Sequence, residues 1–158
     1  MIKRLIRCMI RRNITRLNAG DATAFLDLAA EDVELAFPGD NTWSREYRPV
    51  AKGRHRHVTH RGVTECRAFV ERFVRDRIQF AVEDVLVNGP PWRLRIAIRA
   101  HVFARVDGAA EDAYNNRVMA FLEFRWLKLI RWEDYEDTER TAAWDRARAA
   151  AGPKLHGV

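Results

Sequence analysis

Near the end of the chain, one carboxylate occupies a position where a charge is costly. Asp134 shares a face of a predicted strand with two apolar residues, Ile130 and Trp132. A carboxylate in such surroundings is expensive unless it is paired or takes part in a reaction. We therefore expect Asp134 to lie in a pocket and to exchange protons there.

A second cluster of reactive side chains lies in the middle of the chain. His55, His57 and His60 are spaced closely enough to bind zinc. No cysteine or acidic residue lies beside them, and the segment is strongly basic, so a solvated basic loop is the favoured interpretation. Alternatively, its cations attract an anionic ligand. We predict no metal site and no cofactor.

Length and composition indicate one soluble globular domain. The 158 residues are 47% apolar and 32% charged, which suits a single domain over residues 1–150 with a tail at 151–158. Cys8 and Cys66 form no disulfide framework and no zinc motif, which indicates a reducing cytoplasm. No apolar run approaches the roughly 20 residues that a membrane-spanning helix needs.

The net charge of +6 is concentrated at the start of the chain. Six cations precede the first acid, Asp21, and the remaining residues carry as many basic as acidic groups: the six are Lys3, Arg4, Arg7, Arg11, Arg12 and Arg16. The body of the domain is therefore neutral, and we predict no nucleic-acid partner. This basic segment is interpreted first as a helix covering the fold, and alternatively as a membrane-surface helix, a nucleic-acid contact or a transit peptide lacking serine.

Hydrophobic periodicity changes from helical to alternating along the chain. Helices are predicted at 2–17, after Asp21, at 64–76 and at 138–150, and strands at 33–37, 80–86, 92–106, 114–127 and 130–137, with an irregular stretch at 38–61 and turns at 88–91 and at Asp107-Gly108. Helices followed by long meandering strands define an α+β domain. Such strands must curl, so we predict a strongly curved antiparallel or mixed sheet forming a cone closed by the N-terminal helices.

Three motifs resemble the nuclear-transport-factor-2-like superfamily. They are the opening Leu17–Asp21 with Phe25-Leu26 and Glu31–Val33, then Gly62 with Arg67–Phe69, and finally Arg131–Asp137. The resemblance is to the branch of SnoaL-like polyketide cyclases and limonene-epoxide hydrolases. It implies a cone with covering helices, a homodimer formed through the sheet and a pocket for a hydrophobic small molecule.

The same resemblance implies a set of catalytic residues. Asp134 matches a catalytic acid/base aspartate of the epoxide hydrolases, and Arg99-Ala100-His101 matches their Arg-x-Asp pair with histidine in place of the second carboxylate. We therefore expect Asp134 to move a proton with His101 as its partner and Arg99 orienting it or stabilising negative charge. The implied reaction is cyclisation or isomerisation of a polyketide-like carbonyl compound, with epoxide hydration less favoured and a non-catalytic binding module as the alternative.

Some of these expectations depend on which face of a strand lines the pocket. Arg99 and His101 lie on the polar face of their strand, which could instead face solvent or a dimer partner. The residues expected to contact ligand are Phe37, Trp43, Tyr47, Trp132 and Met119, although the face bearing Met119 could also be a dimer interface. Steroid isomerisation is disfavoured, because Phe37 and Asn13 occupy the positions of that enzyme's base and tyrosine.

Overall fold

A computed structural model describes residues 2–104 and 113–151, so the expected Asp107-Gly108 turn and the 152–158 tail lie outside the described residues. Its elements are α1 (Ile2–Asn18), α2 (Thr23–Leu26), β1 (Ala29–Ala36), β2 (His60–Arg61), α3 (Gly62–Arg75), β3 (Ile78–Asn88), a short 3-10 turn (Pro91–Arg93), β4 (Leu94–Ala104), β5 (Tyr114–Arg125), β6 (Lys128–Glu136) and α4 (Thr138–Ala151). The helices and long strands predicted from periodicity are confirmed, and β2 is an addition.

The strands form one six-stranded sheet in the order β2-β1-β6-β5-β4-β3. β1 runs parallel to β6, and every other neighbouring pair is antiparallel. This curled mixed sheet, covered by helices, confirms the predicted α+β class.

Strict alternation of side chains fixes which face of the sheet is the core. On β4 the apolar residues from Leu94 through Ala104 are buried at every second position, and β5 alternates in register with it. Successive side chains of a strand point to opposite faces, so the charged residues between them are directed to the outer face. This separation decides below which candidate residues can reach a pocket.

Register shifts bend β3 and β6. On β3 the shift between Val82 and Asp84 leaves Glu83 unpaired in the ladder. On β6 the shift falls at Ile130, so Leu129 is the buried residue there, followed by Trp132 and Asp134. The prediction that Ile130 shares the inward face with Trp132 and Asp134 is therefore corrected.

Helix α1 lies along β3 rather than over the cavity. Its buried apolar residues are Ile6, Ile10, Ile14 and Leu17. The Asn18 side chain accepts a hydrogen bond from the Phe80 N–H at 2.9 Å and donates one to the Phe80 carbonyl at 2.8 Å. Gly20, at φ 93°, supplies the left-handed residue that ends the helix. The helix covers the fold as predicted, but no residue of α1 lines the cavity described below.

The long segment between β1 and β2 is tied down along its length, although it lacks regular structure. Thr42 binds the Asp145 carboxylate through its backbone N–H at 2.9 Å and its hydroxyl at 2.6 Å. Arg48 forms a two-pronged pair with Glu65 at 2.7 and 3.0 Å. The segment is therefore held against α3 and α4 by side-chain bonds, which composition alone does not reveal.

The Arg48–Glu65 pair gives a first quantitative prediction. A double-mutant cycle of Arg48→Met and Glu65→Gln should give a coupling energy of about 1 kcal/mol in denaturant unfolding. The hydrogen bond from Arg48 lowers the pKa of Glu65, so this stability is present above the unfolded pKa and is lost as the pH falls through the folded one. A coupling energy near zero at neutral pH would show that the pair does not hold the segment.

Candidate active site

A cavity lies between the inner face of the sheet, α3, α4 and the segment after β1. The volume open to the centre of a water-sized sphere is about 30 Å³, which is room for roughly two water molecules. Its walls are mostly aromatic and aliphatic: Phe37, Trp43, Phe69, Phe73, Ile78, Phe80, Val102, Tyr114, Val118, Trp132 and Trp144. Three polar side chains join them, namely Asp134, Glu136 and Thr141.

Asp134 lies in this cavity, as the sequence predicts. It is 7% exposed, and its Oδ1 accepts a hydrogen bond from the Trp132 indole N–H at 2.7 Å. Burial raises the pKa of Asp134 to about 8, the Trp132 bond opposes the rise and the charge of Glu136 adds to it. At neutral pH this carboxyl is therefore mainly protonated and can donate a proton.

Glu136 follows two residues later on the same face of β6 and has a different environment. Its Oε1 accepts from the Thr141 hydroxyl at 2.5 Å, and its Oε2 accepts from the Tyr114 hydroxyl at 3.1 Å. Asn116 adds a longer contact of 3.4 Å to Oε2. Burial raises the pKa of Glu136, but the bonds from Thr141 and Tyr114 oppose the rise by stabilising the carboxylate.

The two carboxyl groups therefore form a pair with different protonation tendencies. Among the described residues, no arginine, lysine or histidine forms an ion pair with Asp134 or Glu136. Carboxyl groups in such different surroundings can divide the roles of acid and base. Asp134 is suited to donating a proton and Glu136 to accepting one.

The expected catalytic group of Asp134, His101 and Arg99 is not formed within this chain. The Arg99 side chain is 54% exposed and its Nε lies 3.1 Å from Glu83 Oε2. His101 Nε2 lies 2.6 Å from Asn115 Oδ1 on the neighbouring strand. Both belong to the outer face because Ala100 and Val102, the alternate residues, are buried, so the pocket placement of Arg99 and His101 is wrong.

The outer-face positions of Arg99 and His101 predict that their substitution has little effect on stability. Arg99→Ala and His101→Ala should each change the free energy of unfolding by less than about 1 kcal/mol, because exposed pairs contribute little. Asp134→Ala, measured beside them, should change it by more. If Arg99→Ala changed the free energy of unfolding as much as Asp134→Ala, the outer-face position of Arg99 would be contradicted.

The predicted ligand contacts divide by the same criterion. Phe37, Trp43 and Trp132 line the cavity. Met119 is 39% exposed on the outer face, since its neighbours Val118 and Ala120 point inward. Tyr47 is 42% exposed and packs edge-on against His60, 5.3 Å between ring centroids, so it does not roof the cavity.

The cavity is roofed instead by two stacked tryptophans. Trp43 and Trp144 lie 6.4 Å apart between centroids, and Tyr114 stacks on Trp144 at 4.7 Å. The Arg72 guanidinium lies 3.9 Å from the Trp43 ring centroid. It also pairs with Asp145 of α4 at 3.5 Å, so the roof joins α3, α4 and the segment after β1.

The three histidines of the basic segment do not form a metal site. His57 donates from Nε2 to the Ser44 carbonyl at 2.8 Å and accepts from the Ala51 N–H at 3.3 Å. His60 is fully buried beside Phe69, with Nδ1 2.8 Å from the Thr59 hydroxyl. Within residues 2–104 and 113–151, no group of three or more His, Cys, Asp or Glu is arranged to hold a metal.

Sequence reasoning missed the partners that complete the site. Glu136 was within reach, because it lies two residues beyond Asp134 and so shares its strand face. Thr141 and Trp144 are three residues apart on the following helix, which is the spacing of neighbours on one helical face. Tyr114 and Asn116 begin the inward face of β5, but only the register with β6 and α4 brings them to Glu136.

Comparison with known proteins places this fold and cavity in a family. A family model described as a SnoaL-like domain matches residues 10–132. The chain therefore belongs to the SnoaL-like family, within the nuclear-transport-factor-2-like superfamily. A search of curated proteins found no match.

Solved structures with the same fold are remote in sequence. Bal32a, from a soil-derived mobile gene cassette, is 18% identical over 87% of this chain and 94% of its own, with a TM-score of 0.62. A nuclear-transport-factor-2-like protein of unknown function from Burkholderia pseudomallei is also 18% identical, over 88% and 95%, with a TM-score of 0.62. A cystatin-fold protein from Novosphingobium aromaticivorans is 20% identical over 80% and 94%, with a TM-score of 0.57. These similarities show the fold alone.

Proposed function

We propose that this protein binds a hydrophobic carbonyl compound and performs metal-free acid/base chemistry on it with Asp134 and Glu136. The single observation that carries the proposal is a buried carboxyl group, Asp134, beside a partly buried one, Glu136, in an aromatic cavity, with no counter-cation among the described residues. Such a pair is costly to bury. Carboxyl groups with perturbed pKa values cluster at catalytic sites, so we assign this pair a role in proton transfer.

The proposed chemistry assigns each carboxyl a separate step. Glu136 removes a proton from the carbon beside the carbonyl, and the C–H electron pair moves into an enolate. Asp134 donates a hydrogen bond to the carbonyl oxygen, where negative charge develops. Return of the proton from Glu136 to another carbon of a conjugated enolate gives an isomerisation. In an aldol-type cyclisation the enolate carbon attacks a second carbonyl of the same molecule, and the alkoxide that forms takes up the proton held by Glu136. Epoxide hydration is the less favoured reaction.

The size of the cavity limits how a ligand enters. Space for roughly two water molecules does not hold a cyclisable carbonyl compound, so the aromatic roof must move for binding. Trp43 and Trp144 then offer flat apolar faces on which a planar ligand can stack. We therefore propose a flat hydrophobic ligand rather than a charged one.

Exchange of carbon-bound protons tests the proposal without knowledge of the natural substrate. A flat hydrophobic ketone such as 2-tetralone, incubated with the protein in D2O, should exchange its α-protons faster than in buffer. Asp134→Asn and Glu136→Gln should each slow the catalysed exchange by about 10²-fold or more. Asp32→Asn, a matched change of an exposed carboxylate, should leave it unchanged.

The alternative function is a non-catalytic binding module, which the apolar lining of the cavity would also serve. Quenching of tryptophan fluorescence by the ketone, without accelerated exchange in the wild-type protein, would favour that alternative. Exchange that persists in the Asp134→Asn and Glu136→Gln variants would contradict the assignment of the carboxyl pair.

We further propose a homodimer formed through the outer face of the sheet. In support, Met119 is an apolar side chain on that face and is 39% exposed. On the same face, Glu83 forms ion pairs with Arg99 at 3.1 Å and with Arg117 at 3.2 Å. Sedimentation of Met119→Glu should then show a monomer where the wild-type protein shows a dimer.

Free thiols at Cys8 and Cys66 support the proposal of a reducing, cytoplasmic compartment.

A further inference from the structure

One end of the molecule carries large apolar side chains that the fold leaves exposed. Trp92 is 55% exposed, Trp126 is 72% exposed and Leu127 is 48% exposed. The two indole rings lie 6.1 Å apart, and the Leu127 N–H bonds to the Pro91 carbonyl at 3.3 Å. The 3-10 turn and the β5–β6 turn are thus joined, and together they present their apolar side chains to solvent.

The turn between β5 and β6 adopts a conformation that its residues do not favour. Trp126 and Leu127 have φ angles of 51° and 63°, in the left-handed region where asparagine and glycine are the usual residues of a two-residue hairpin turn. The neighbouring turn requires its glycine, because a Cβ on Gly89 would collide with the Arg93 carbonyl oxygen. Large apolar residues held at a strained, solvent-exposed turn point to use of the surface rather than to folding.

Helix α1 brings further exposed apolar residues to this end. The helix runs antiparallel to β3, since Asn18 binds Phe80, Arg11 reaches the Val82 carbonyl and Arg7 reaches the Val85 carbonyl at 3.0 Å. Its first turn therefore lies beside the end of β3, where the chain enters the turn that carries Trp92. Ile2 and Leu5 are 52% and 63% exposed there.

The charge around this end is mainly positive. In the parts of the chain that the structure describes, no acid pairs with the α1 cations before Arg16: Lys3, Arg4, Arg7, Arg11 and Arg12. Arg93, Arg125 and Lys128 flank the tryptophans in sequence and are exposed. Three exposed acids lie near the start of β1, beside the β5–β6 turn: Asp27, Glu31 and Asp32. Asp32 lies 3.5 Å from Arg125, and Lys128 donates to the Asp27 backbone carbonyl at 3.2 Å.

We propose that the Trp edge, defined as Ile2, Leu5, Trp92, Trp126 and Leu127 with the cations around it, docks on the surface of an anionic lipid bilayer. Tryptophan favours the membrane–water interface, and cations beside it are attracted to anionic headgroups. Aliphatic side chains such as Ile2 and Leu5 find an apolar environment in lipid, which a nucleic acid does not offer. Among the described residues no helix is long and apolar enough to cross a membrane, so the contact is peripheral.

Co-sedimentation with vesicles tests the Trp edge directly. The wild-type protein should bind phosphatidylcholine vesicles containing about one third phosphatidylglycerol and should not bind pure phosphatidylcholine. Neutralising two cations with Lys3→Gln and Arg4→Gln should lower the partition coefficient roughly 30-fold. Trp92→Ser with Trp126→Ser should lower it roughly tenfold or more.

Matched variants separate this surface from general effects of charge and hydrophobicity. Arg67→Gln with Arg146→Gln removes two exposed cations from α3 and α4 and should leave vesicle binding unchanged. Tyr47→Ser removes an exposed aromatic ring from the segment before β2 and should do the same. Brominated lipids should quench tryptophan fluorescence in the wild-type protein and not in the Trp92→Ser, Trp126→Ser variant.

Three results would overturn the proposal. The first is no sedimentation of the wild-type protein with anionic vesicles. The second is equal loss of binding in the control variants. The third is that Trp92 and Trp126 are needed for binding a single-stranded oligonucleotide, or for self-association, and the protein does not bind vesicles.

Discussion

Replacing Asp134 with asparagine is expected to flatten the pH dependence of stability between about pH 5 and pH 8. In the folded protein burial raises the pKa of Asp134 to about 8, whereas in the unfolded chain it lies near its ordinary value of about 3.9. Between these values the folded state holds a proton that the unfolded state has released. The free energy of unfolding of the wild-type protein therefore falls by up to about 1.4 kcal/mol per pH unit as the pH rises.

The asparagine variant removes this titration and keeps an oxygen that accepts from Trp132. Its free energy of unfolding should exceed that of the wild-type protein increasingly from pH 7 to pH 8. Glu136 leaves a slope of the same sign in both proteins, because its pKa is also raised by burial. His60, whose pKa is lowered by burial, contributes the opposite slope only below about pH 6.5.

Urea unfolding at several pH values between 7 and 8 measures this difference where His60 no longer contributes. Asp32→Asn serves as the matched control, because the Asp32 side chain is 71% exposed. Equal slopes in the wild-type protein and the Asp134→Asn variant would contradict the raised pKa of Asp134.

Replacing Trp43 with alanine is expected to destabilise the domain by about 3–5 kcal/mol. Trp43 is 2% exposed and contacts Phe37, Phe69 and Trp144, with Arg72 over its outer face. Its loss removes one of the two roof residues and leaves a cavity that the surrounding side chains fill only in part. The midpoint of denaturant unfolding, at an unchanged m-value, measures the loss.

The matched control for this variant is another tryptophan with little burial. Trp126 is 72% exposed, so Trp126→Ala should change the free energy of unfolding by less than about 1 kcal/mol. Trp43→Ala should also bind a small aromatic probe that the wild-type cavity excludes. Comparable destabilisation by the two variants would show that the roof is not part of the core.

The fold was predictable because local patterns agree with it. The alternation from Leu94 to Ala104 and the helical spacing from Ile2 to Leu17 each identify one buried face without tertiary information. The register shift at Ile130 was not predictable, since an extra residue leaves no trace in hydrophobicity. The segment 38–61 lacks periodicity, and its structure depends on contacts with distant residues such as Glu65 and Asp145.

For the candidate site, strand parity was the stronger guide and resemblance the weaker. The apolar face of β4 predicted that Ala100 and Val102 point inward, which leaves Arg99 and His101 outside. Motif matching favoured the opposite placement, because it carried a family pair onto a strand without regard to its faces. The placement of Asp134 in the cavity was predictable because Trp132, its apolar neighbour on the strand face, is close in sequence. Tyr114 and Thr141 reach Glu136 only through tertiary packing.

The protonation state of Asp134 is the property on which the proposed acid/base pair depends most directly. NMR titration of ¹³C-labelled aspartate carboxyl groups, assigned by their loss in Asp134→Asn, measures it in the intact protein. The cation-free, buried site predicts a resonance that titrates with a midpoint near pH 8. A midpoint near the ordinary aspartate value of about 3.9 would contradict the role of Asp134 as the proton-donating member of the pair.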